Sequence, residues 1–429
     1  MIYWAPFLHF YQPPTQFHAI LKKVCNESYR PLLAMLGEHP NTKVTINICG
    51  VLTEMLNDHG ASDILDQIKT LAQNNQIEFA DSGKYHPILP LIPKKEMRRQ
   101  IELNHKTNGY FFKKAYQPKG FFPPEMCYSE ELAGLLSEMG YLWVLVGGIA
   151  ATAKWPLDVI YNLPVKPNGL KIFYRDDIIS NKISFKSVDS KGFIQQLVNL
   201  RQDKDDIYVI TAMDAETFGH HIQNWERLFL EEVYEMIEGV ASYRGLKQRA
   251  DLALAHKNIM ALKESKEVKV VTISELLNKF PSKNAQAPRP SSWSSSAEDI
   301  EQGNYYPLWK HQHNPIHDLQ WQHVNVCFEL LEEAARLKDN EESNHFYAIA
   351  RGLLDRAIHS CQFWWANKER RTWDMNLINK GLMFQEEVVL NGYKAIYSSN
   401  ASEAAINEAH YKVTASRDIA SKIRDLIVE

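Results

Sequence analysis

The sequence predicts an α/β protein: an incomplete (β/α)7 barrel of the TIM type followed by a helical C-terminal domain. Three observations carry that reading. Short apolar runs rich in β-branched and aromatic residues recur through the first 280 positions. Stretches with apolar residues three and four apart fill most of the gaps between them. Beyond about residue 280 the strand-like runs stop and only helical patterns continue. Runs that are apolar throughout suit parallel strands covered on their outer face by helices, and seven or eight such units in roughly 275 residues fit a closed or nearly closed barrel. With 429 residues and 45% hydrophobic content, the chain exceeds what a single core holds. Two domains are expected, 1–280 and 281–429.

The elements follow in order. "IYWAPFLHF" (2–10) is the first strand, stopped by Pro13 and Pro14. "SYRPLLAMLGEH" reads as a helix, "KVTINIC" (43–49) as a strand, "ASDILDQIKTLAQNN" as a helix and "IEFAD" (77–81) as a strand. The helical "KKEMRRQIELNHKTNGYFFKKA" leads to "GFFPPE" (120–125), where the prolines keep the backbone extended. "SEELAGLLSEMG" is a helix with Ser129 as its N-cap. "YLWVLVGG" (141–148) and "LKIFYRD" (170–176) are strands, "SKGFIQQLVNLRQ" a helix, "IYVITAMD" (207–214) a strand, "NWERLFLEEVYEMIEGV" a helix and "VKVVTIS" (268–274) a strand. A polar crossing, "FPSKNAQAPRPSSWSSSAEDIEQGNYYPLWKHQHNP", then precedes three long helical patterns, "LQWQHVNVCFELLEEAARL", "HFYAIARGLLDRAIHSCQFWWAN" and "NKGLMFQEEVVLNGYKAIY". There is no internal repeat and no heptad run.

The formal charge of −4 comes from 48 basic and 52 acidic residues mixed along the chain, which gives no signature for nucleic acid or an anionic membrane. Cys25, Cys49, Cys127, Cys327 and Cys361 are odd in number, far apart and never in a C-x-x-C arrangement, so they read as reduced thiols. The N-terminus lacks a basic region and a cleavage site, and no apolar run reaches the roughly 18 residues of a membrane span. A cytoplasmic location is expected, with no nucleic-acid or membrane partner and the oligomeric state open.

In such a barrel the chemistry sits beyond the C-terminal strand ends. The first strand ends in His9, Tyr11 and Gln12. The "IEFADS" strand carries Glu78 and Asp81 and runs into Ser82, Tyr85 and His86. "GFFPP" ends on Glu125, and "YVITAM" on Asp214, followed by Glu216, His220 and His221. Each has a plain structural reading as well. Asp214 could cap a helix beginning near Glu216, Glu125 could be a surface acid, and His9 a satisfied core histidine. Glu78 resists that treatment, because a charge inside an apolar strand needs a partner. Taken together, acids gathered at strand ends point to a functional rim. Two carboxylates there, without metal or cofactor, suit glycoside cleavage. Trp155, Trp225, Trp293, Trp309, Trp321, Trp364, Trp365 and Trp373 offer planes for the C–H faces of sugar rings, although Trp364 and Trp365 could equally pack the helical domain on the barrel.

"LHFYQPP", "NNQIEFADSGKYHPIL", "GFFPPEMCYSEEL", "DAETFGHH" and "HSCQFWWAN" resemble, in order and spacing, the five signature regions of the family 57 glycoside hydrolases, from residue 1 to about 380. Characterised members of that family act on α-glucans as amylases, glucanotransferases or branching enzymes. The resemblance implies a retaining mechanism, with Glu125 as nucleophile and Asp214 as general acid/base, and a helical segment that helps to build the substrate cleft. Glu78 matches the acid of the second region, and His9 with Gln12 part of the first. Tyr11, His86, His220, His221, Trp293, Gln362, Trp364 and Trp365 are expected to line the sugar sites. Three departures bear on substrate choice: Tyr11 stands where a histidine is common, His220-His221 follow "DAETFG", and Gln362 aligns with an acid.

That mechanism asks for a protonated Asp214, its pKa raised by burial or a neighbouring acid, and an ionised Glu125 held by His9, Tyr11 or His86. It also asks for about 5 to 5.5 Å between the two carboxyl groups. The rival is a zinc-dependent deacetylase or mannosidase-like hydrolase with His9, Asp214, His220 and His221 as ligands. Against it, adjacent histidines point apart and no H-x-x-x-H spacing occurs nearby. A carbohydrate-binding regulator with a dead site is disfavoured by the presence of both carboxylates. Hydrolysis and transfer to an acceptor sugar are both open at this point.

Overall fold

Every one of the apolar runs contains a strand in the computed structural model, which describes residues 1–151, 155–239, 264–284 and 287–428. These strands are β1 (Ile2–Phe10), β2 (Val44–Ile48), β3 (Ile77–Asp81), β4 (Gly120–Phe121), β5 (Trp143–Val146), β7 (Leu170–Tyr174), β8 (Ile207–Asp214) and β9 (Val268–Val270). Two more were not expected: β6 (Ile160–Leu163), which returns antiparallel beside β7, and β10 (Ser282–Asn284), parallel to β6. The order is β10-β6-β7-β5-β4-β3-β2-β1-β8, with β9 pairing the start of β1. It curls into an incomplete (β/α)7 barrel.

Helices cover the outer face as the spacing demands. Ser62–Gln73 buries Ile64, Leu65, Ile68 and Leu71, a single stripe at helical period. Ser129 caps Glu130–Glu138 by accepting from the Leu132 amide at 3.2 Å. Helices Gly50–Asp58, Asp177–Ser184 and Glu403–Val428 were not anticipated. The "NWERLFLEEVYEMIEGV" pattern opens as a π-helix, Glu226–Glu231, before continuing as Glu232–Glu238. Its last position, 240, and positions 285 and 286 of the polar crossing lie outside the described residues.

The chain divides into two units: Met1–Gln12, Gln16–Lys84 and Leu89–Trp293 form one, and Pro13–Thr15, Tyr85–Ile88 and Ser294–Glu429 the other. The second is built on Pro315–Leu337, Glu341–Ala357, Met375–Tyr397 and Glu403–Val428. One of its cores gathers Ile316, Ile378, Leu382, Ile423 and Ile427. His323 ties three of these helices together, bonding Gln385 at 2.6 Å and Ser416 at 2.7 Å. The expected helix over "HFYAIARGLLDRAIHSCQFWWAN" is two, interrupted at 358–360 and resumed as Cys361–Trp364. No disulfide joins any of the five cysteines. Among the described residues, no helix is long and apolar enough to cross a membrane.

Asp81, at the end of β3, points outward from the barrel and is fully buried. Its oxygens accept from the Ser82 amide (2.9 Å), Asn104 (2.7 Å), Tyr116 (3.0 Å), Tyr141 (2.8 Å) and His105 (2.8 Å). That makes it an anchor between sheet and helix Lys94–Phe112 rather than a rim group. Asp81→Ala strands five donors, so it is expected to lower stability by about 3 kcal/mol, read as a reduced urea midpoint with an unchanged m-value.

Candidate active site

The strand register assembles the rim. On neighbouring strands, His9 of β1 is opposite Asn47 of β2 on one side and Asp214 of β8 on the other. The His9 Nδ1–H donates to Asn47 Oδ1 at 2.8 Å, which leaves Nε2 as the lone-pair nitrogen. Burial lowers the pKa of His9 to about 4, so the ring is neutral. It stacks on Phe122 with centroids 4.8 Å apart and lies 6.0 Å from Tyr11.

Glu125 reaches the same rim through an unusual backbone. After Pro123 and Pro124 it sits at φ 57°, ψ 18°, followed by Met126 at φ 51°. Two successive left-handed non-glycine residues carry a conformational cost and persist only when the surroundings fix them. Trp293 is such a fixture: its amide donates to the Glu125 carbonyl at 3.2 Å and its indole N–H to Glu125 Oε2 at 2.9 Å. Burial, then the charge of Asp214, push Glu125 up to about 8, and the indole N–H opposes the rise only in part.

Asp214 makes no cap bond to the turn Ala215–Thr217, so its carboxylate is available to the rim. Burial raises its pKa to about 6 against the opposing pull of the Arg175 guanidinium. A third acid adjoins it. Glu216, 4% exposed, is raised by burial and by Asp214. Its Oε1 accepts from Gln12 Nε2 at 2.7 Å and from the Tyr29 hydroxyl. Three carboxyl groups in one low-dielectric site cannot all ionise, and their protons belong to the set. The Arg175 guanidinium opposes the rise at Asp214, and the indole N–H of Trp293 opposes it at Glu125.

Of the adjacent histidines, His220 has a fastening role. The π-helix Cys25–Tyr29 cradles residues 215–220: Ser28 Oγ donates to the Ala215 carbonyl at 2.9 Å, and Glu27 holds His220 Nδ1 at 2.6 Å. Gly219, at φ 106°, lies so close that a Cβ there would come within 1.8 Å of the Glu27 carbonyl oxygen. His221 is exposed. The zinc set of His9, Asp214, His220 and His221 is therefore not gathered. Among the described residues, the His and acid side chains that do converge are His39, Glu231 and Glu235, none of them from that set.

Several expected sugar contacts are placed elsewhere. Gln12 spends its amide on Glu216, and its oxygen accepts from Gln16 at 2.8 Å. Glu78 is the second residue of β3, at the N-terminal end of the barrel. There it accepts from Thr45 Oγ1 at 3.0 Å and the Ser274 amide at 3.1 Å, beside a cavity of about 530 Å³ lined also by Lys43 and Lys119. In the helical unit, His86 Nδ1 bonds Ser360 Oγ at 2.8 Å. Gln362 is buried, its oxygen taken by Gln385 at 2.7 Å and its amide by the Ala357 carbonyl. Trp364 and Trp365 are partly exposed, 4.9 Å apart. Trp225, Trp309 and Trp321 are core. Unanticipated in the site are Tyr29, Asn47 and Arg175. A polar residue inside "TINIC" and a charge at the end of "LKIFYRD" were signals for two of them; nothing local marks Tyr29.

The model of glycosyl hydrolase family 57 matches residues 7–287. The chain is 29% identical over 238 residues to an alpha-amylase of Pyrococcus horikoshii, covering 54% of this chain and 37% of that one. It is 28% identical over 278 residues to a 4-alpha-glucanotransferase of Thermococcus litoralis, covering 64% and 38%. The chain thus spans well under half the length of these curated relatives. In fold, it is similar to a family 57 branching enzyme from Pyrococcus horikoshii, with a TM-score of 0.66 at 14% identity over 98% of this chain and 96% of the other. With the family model covering more than half of its residues, this chain belongs to glycosyl hydrolase family 57.

Proposed function

We propose that this protein is a retaining glycoside hydrolase or transglycosylase acting on α-glucan oligo- or polysaccharides, with Glu125 as nucleophile and Asp214 as general acid/base. The observation that carries this reading is electrostatic. Two acids from different strand ends share one rim closely enough for the charge of Asp214 to raise the pKa of Glu125. A retaining mechanism uses two such carboxyl groups on one rim, about 5 to 5.5 Å apart. The alpha-amylase and 4-alpha-glucanotransferase names of its relatives support the substrate class. The reduced cysteines support a cytoplasmic location.

In the reaction, Glu125 attacks the anomeric carbon while Asp214 protonates the departing glycosidic oxygen. Asp214 then takes a proton from water or from an acceptor hydroxyl, and that second oxygen displaces Glu125. A bound sugar sets which of the two acids holds the proton. Its hydroxyls donate to Glu125 and favour the ionised form, while its ring displaces water from Asp214 and favours the neutral one. Trp293 keeps Glu125 aimed, and the Nε2 lone pair of His9 accepts from a sugar hydroxyl. Trp364 and Trp365 offer indole planes of the kind that sugar rings cover.

Incubation with malto-oligosaccharides should give shorter products by hydrolysis, or both shorter and longer ones by transfer, with the α-configuration retained in the first-formed product by proton NMR. Inverted product, or no cleavage of any α-glucan, would remove the assignment. Asp214→Asn should lower kcat by about 10²–10⁴-fold, and Glu125→Gln by at least as much. The rate should follow a bell: it falls below about pH 6, where Asp214 and Glu125 are both protonated, and above about pH 8, where the shared proton is lost. Stability gives an independent check. The folded-state pKa of Glu125 is raised, so the unfolded chain sheds its proton first, and folding loses free energy as pH climbs from the ordinary carboxylate range towards 8. Glu125→Gln should therefore be more stable than wild type at pH 7, by at least about 1 kcal/mol, with the gap closing near pH 4.5.

A further inference from the structure

β8 lies at the end of the strand order, and four of the backbone groups that would face another strand are taken up by other partners. The Tyr208 amide donates to the Leu157 carbonyl at 2.9 Å, and the Ile210 carbonyl accepts from the Asp176 amide at 2.8 Å. The Ala212 amide donates to Ser180 Oγ at 3.1 Å, and its carbonyl accepts from Arg175 Nε at 2.8 Å. These are alternate residues, as in a parallel ladder, where both groups of every second residue point to the same neighbour. The next member of the series is Asp214. Arg175 therefore stands in for the last rung before the acid/base.

Its own placement is tight. Arg175 is 4% exposed. Its Nη1 donates to Asp177 Oδ1 and its Nη2 to Asn181 Oδ1, both at 2.8 Å, so the guanidinium spans helix Asp177–Ser184 and strand β8. On its other side it lies 5.9 Å from the Trp293 ring, the indole that holds Glu125. A planar fork with donors on all three nitrogens meets three acceptors at once, which a lysine cannot do.

We propose that Arg175 is a positioning residue for the reaction: it completes the open edge of β8 at the rung before Asp214 and fixes a positive charge beside that carboxylate. The inference rests on the acid/base assignment of Asp214. The ionisable groups around Asp214 are Glu125, Glu216 and Arg175, with neutral His9 opposite it on β1; Asp177 offsets part of the guanidinium charge. Without the cation, Asp214 would meet only other acids. Its pKa would then rise further, and it would serve poorly as a base when the glycosyl-enzyme is released. Arg175 touches no reacting atom; it acts through Asp214 and Trp293.

The test uses the full chain with Arg175→Met and Arg175→Lys, each checked for native circular dichroism. Two readouts are taken: the pH profile of kcat/KM on malto-oligosaccharides, and the titration of Asp214 by carbon-13 NMR of carboxyl-labelled aspartate, assigned by the resonance lost in Asp214→Asn. Arg175→Met should move the acid limb and the Asp214 titration upward by about one pH unit or more. Arg175→Lys should keep both near the wild-type pH while kcat drops at least about tenfold, because the fork is gone. An Asp214 titration unmoved in Arg175→Met overturns the proposal. If that variant does not fold, Arg175→Lys decides, and a kcat within about twofold of wild type overturns it. A wild-type protein inert on every α-glucan would sink the functional reading instead, and the NMR arm would still decide the place of Arg175.

Discussion

Carboxylates that repel one another, held together out of water, are the constraint on which the barrel rim depends. Burial raises the pKa of Glu125, Asp214 and Glu216, and the charge of Asp214 adds to the rise at the other two, because the donors around them are too few to keep them ionised at low cost. Asp81 is the instructive contrast. It is the same kind of side chain at the end of a neighbouring strand and is fully buried, yet five donors surround it. Supply of hydrogen-bond donors, more than burial, separates a structural acid from a reactive one.

Holding repelling groups together demands rigid supports, and the supports here lie far apart in the chain. Glu125 is fixed by Trp293, Glu216 by Gln12 and Tyr29, and the Asp214 turn by Ser28. The left-handed backbone at Glu125 and Met126 belongs to the same design. A strained, charge-crowded site lowers the stability of the fold and is tolerated because the rest of the core is large.

The strands were legible because their runs are continuously apolar and β-branched; β6 and β10 were not, since "IYNL" and "SKN" are short and interrupted by polar residues. The rule that chemistry gathers at C-terminal strand ends led from the sequence to Glu125 and Asp214. The same rule misplaced Glu78, which belongs to the opposite end of β3: its strand starts only one residue earlier, at Ile77. His220, His221, Gln12 and Gln362 have the polarity of ligand contacts. What turns His220, Gln12 and Gln362 into fasteners is a partner remote in sequence: Glu27, Glu216 and Gln385. No local pattern encodes that. Nor does any announce Tyr29, whose role exists only because a π-helix turns it towards Glu216. The abundance of tryptophan was a weak guide for the same reason, since indoles such as Trp309 and Trp321 are occupied in packing.

The edge of β8 is finished by a side-chain hydroxyl, a guanidinium and isolated backbone contacts instead of a further strand. A bare strand edge is a template on which another chain can add itself. With the Tyr208 amide, the Ile210 carbonyl and both groups of Ala212 engaged, the longest strand after β1 offers a poorer template. An open barrel of this kind can thus leave β8 at its margin while reducing the invitation to edge-to-edge association there.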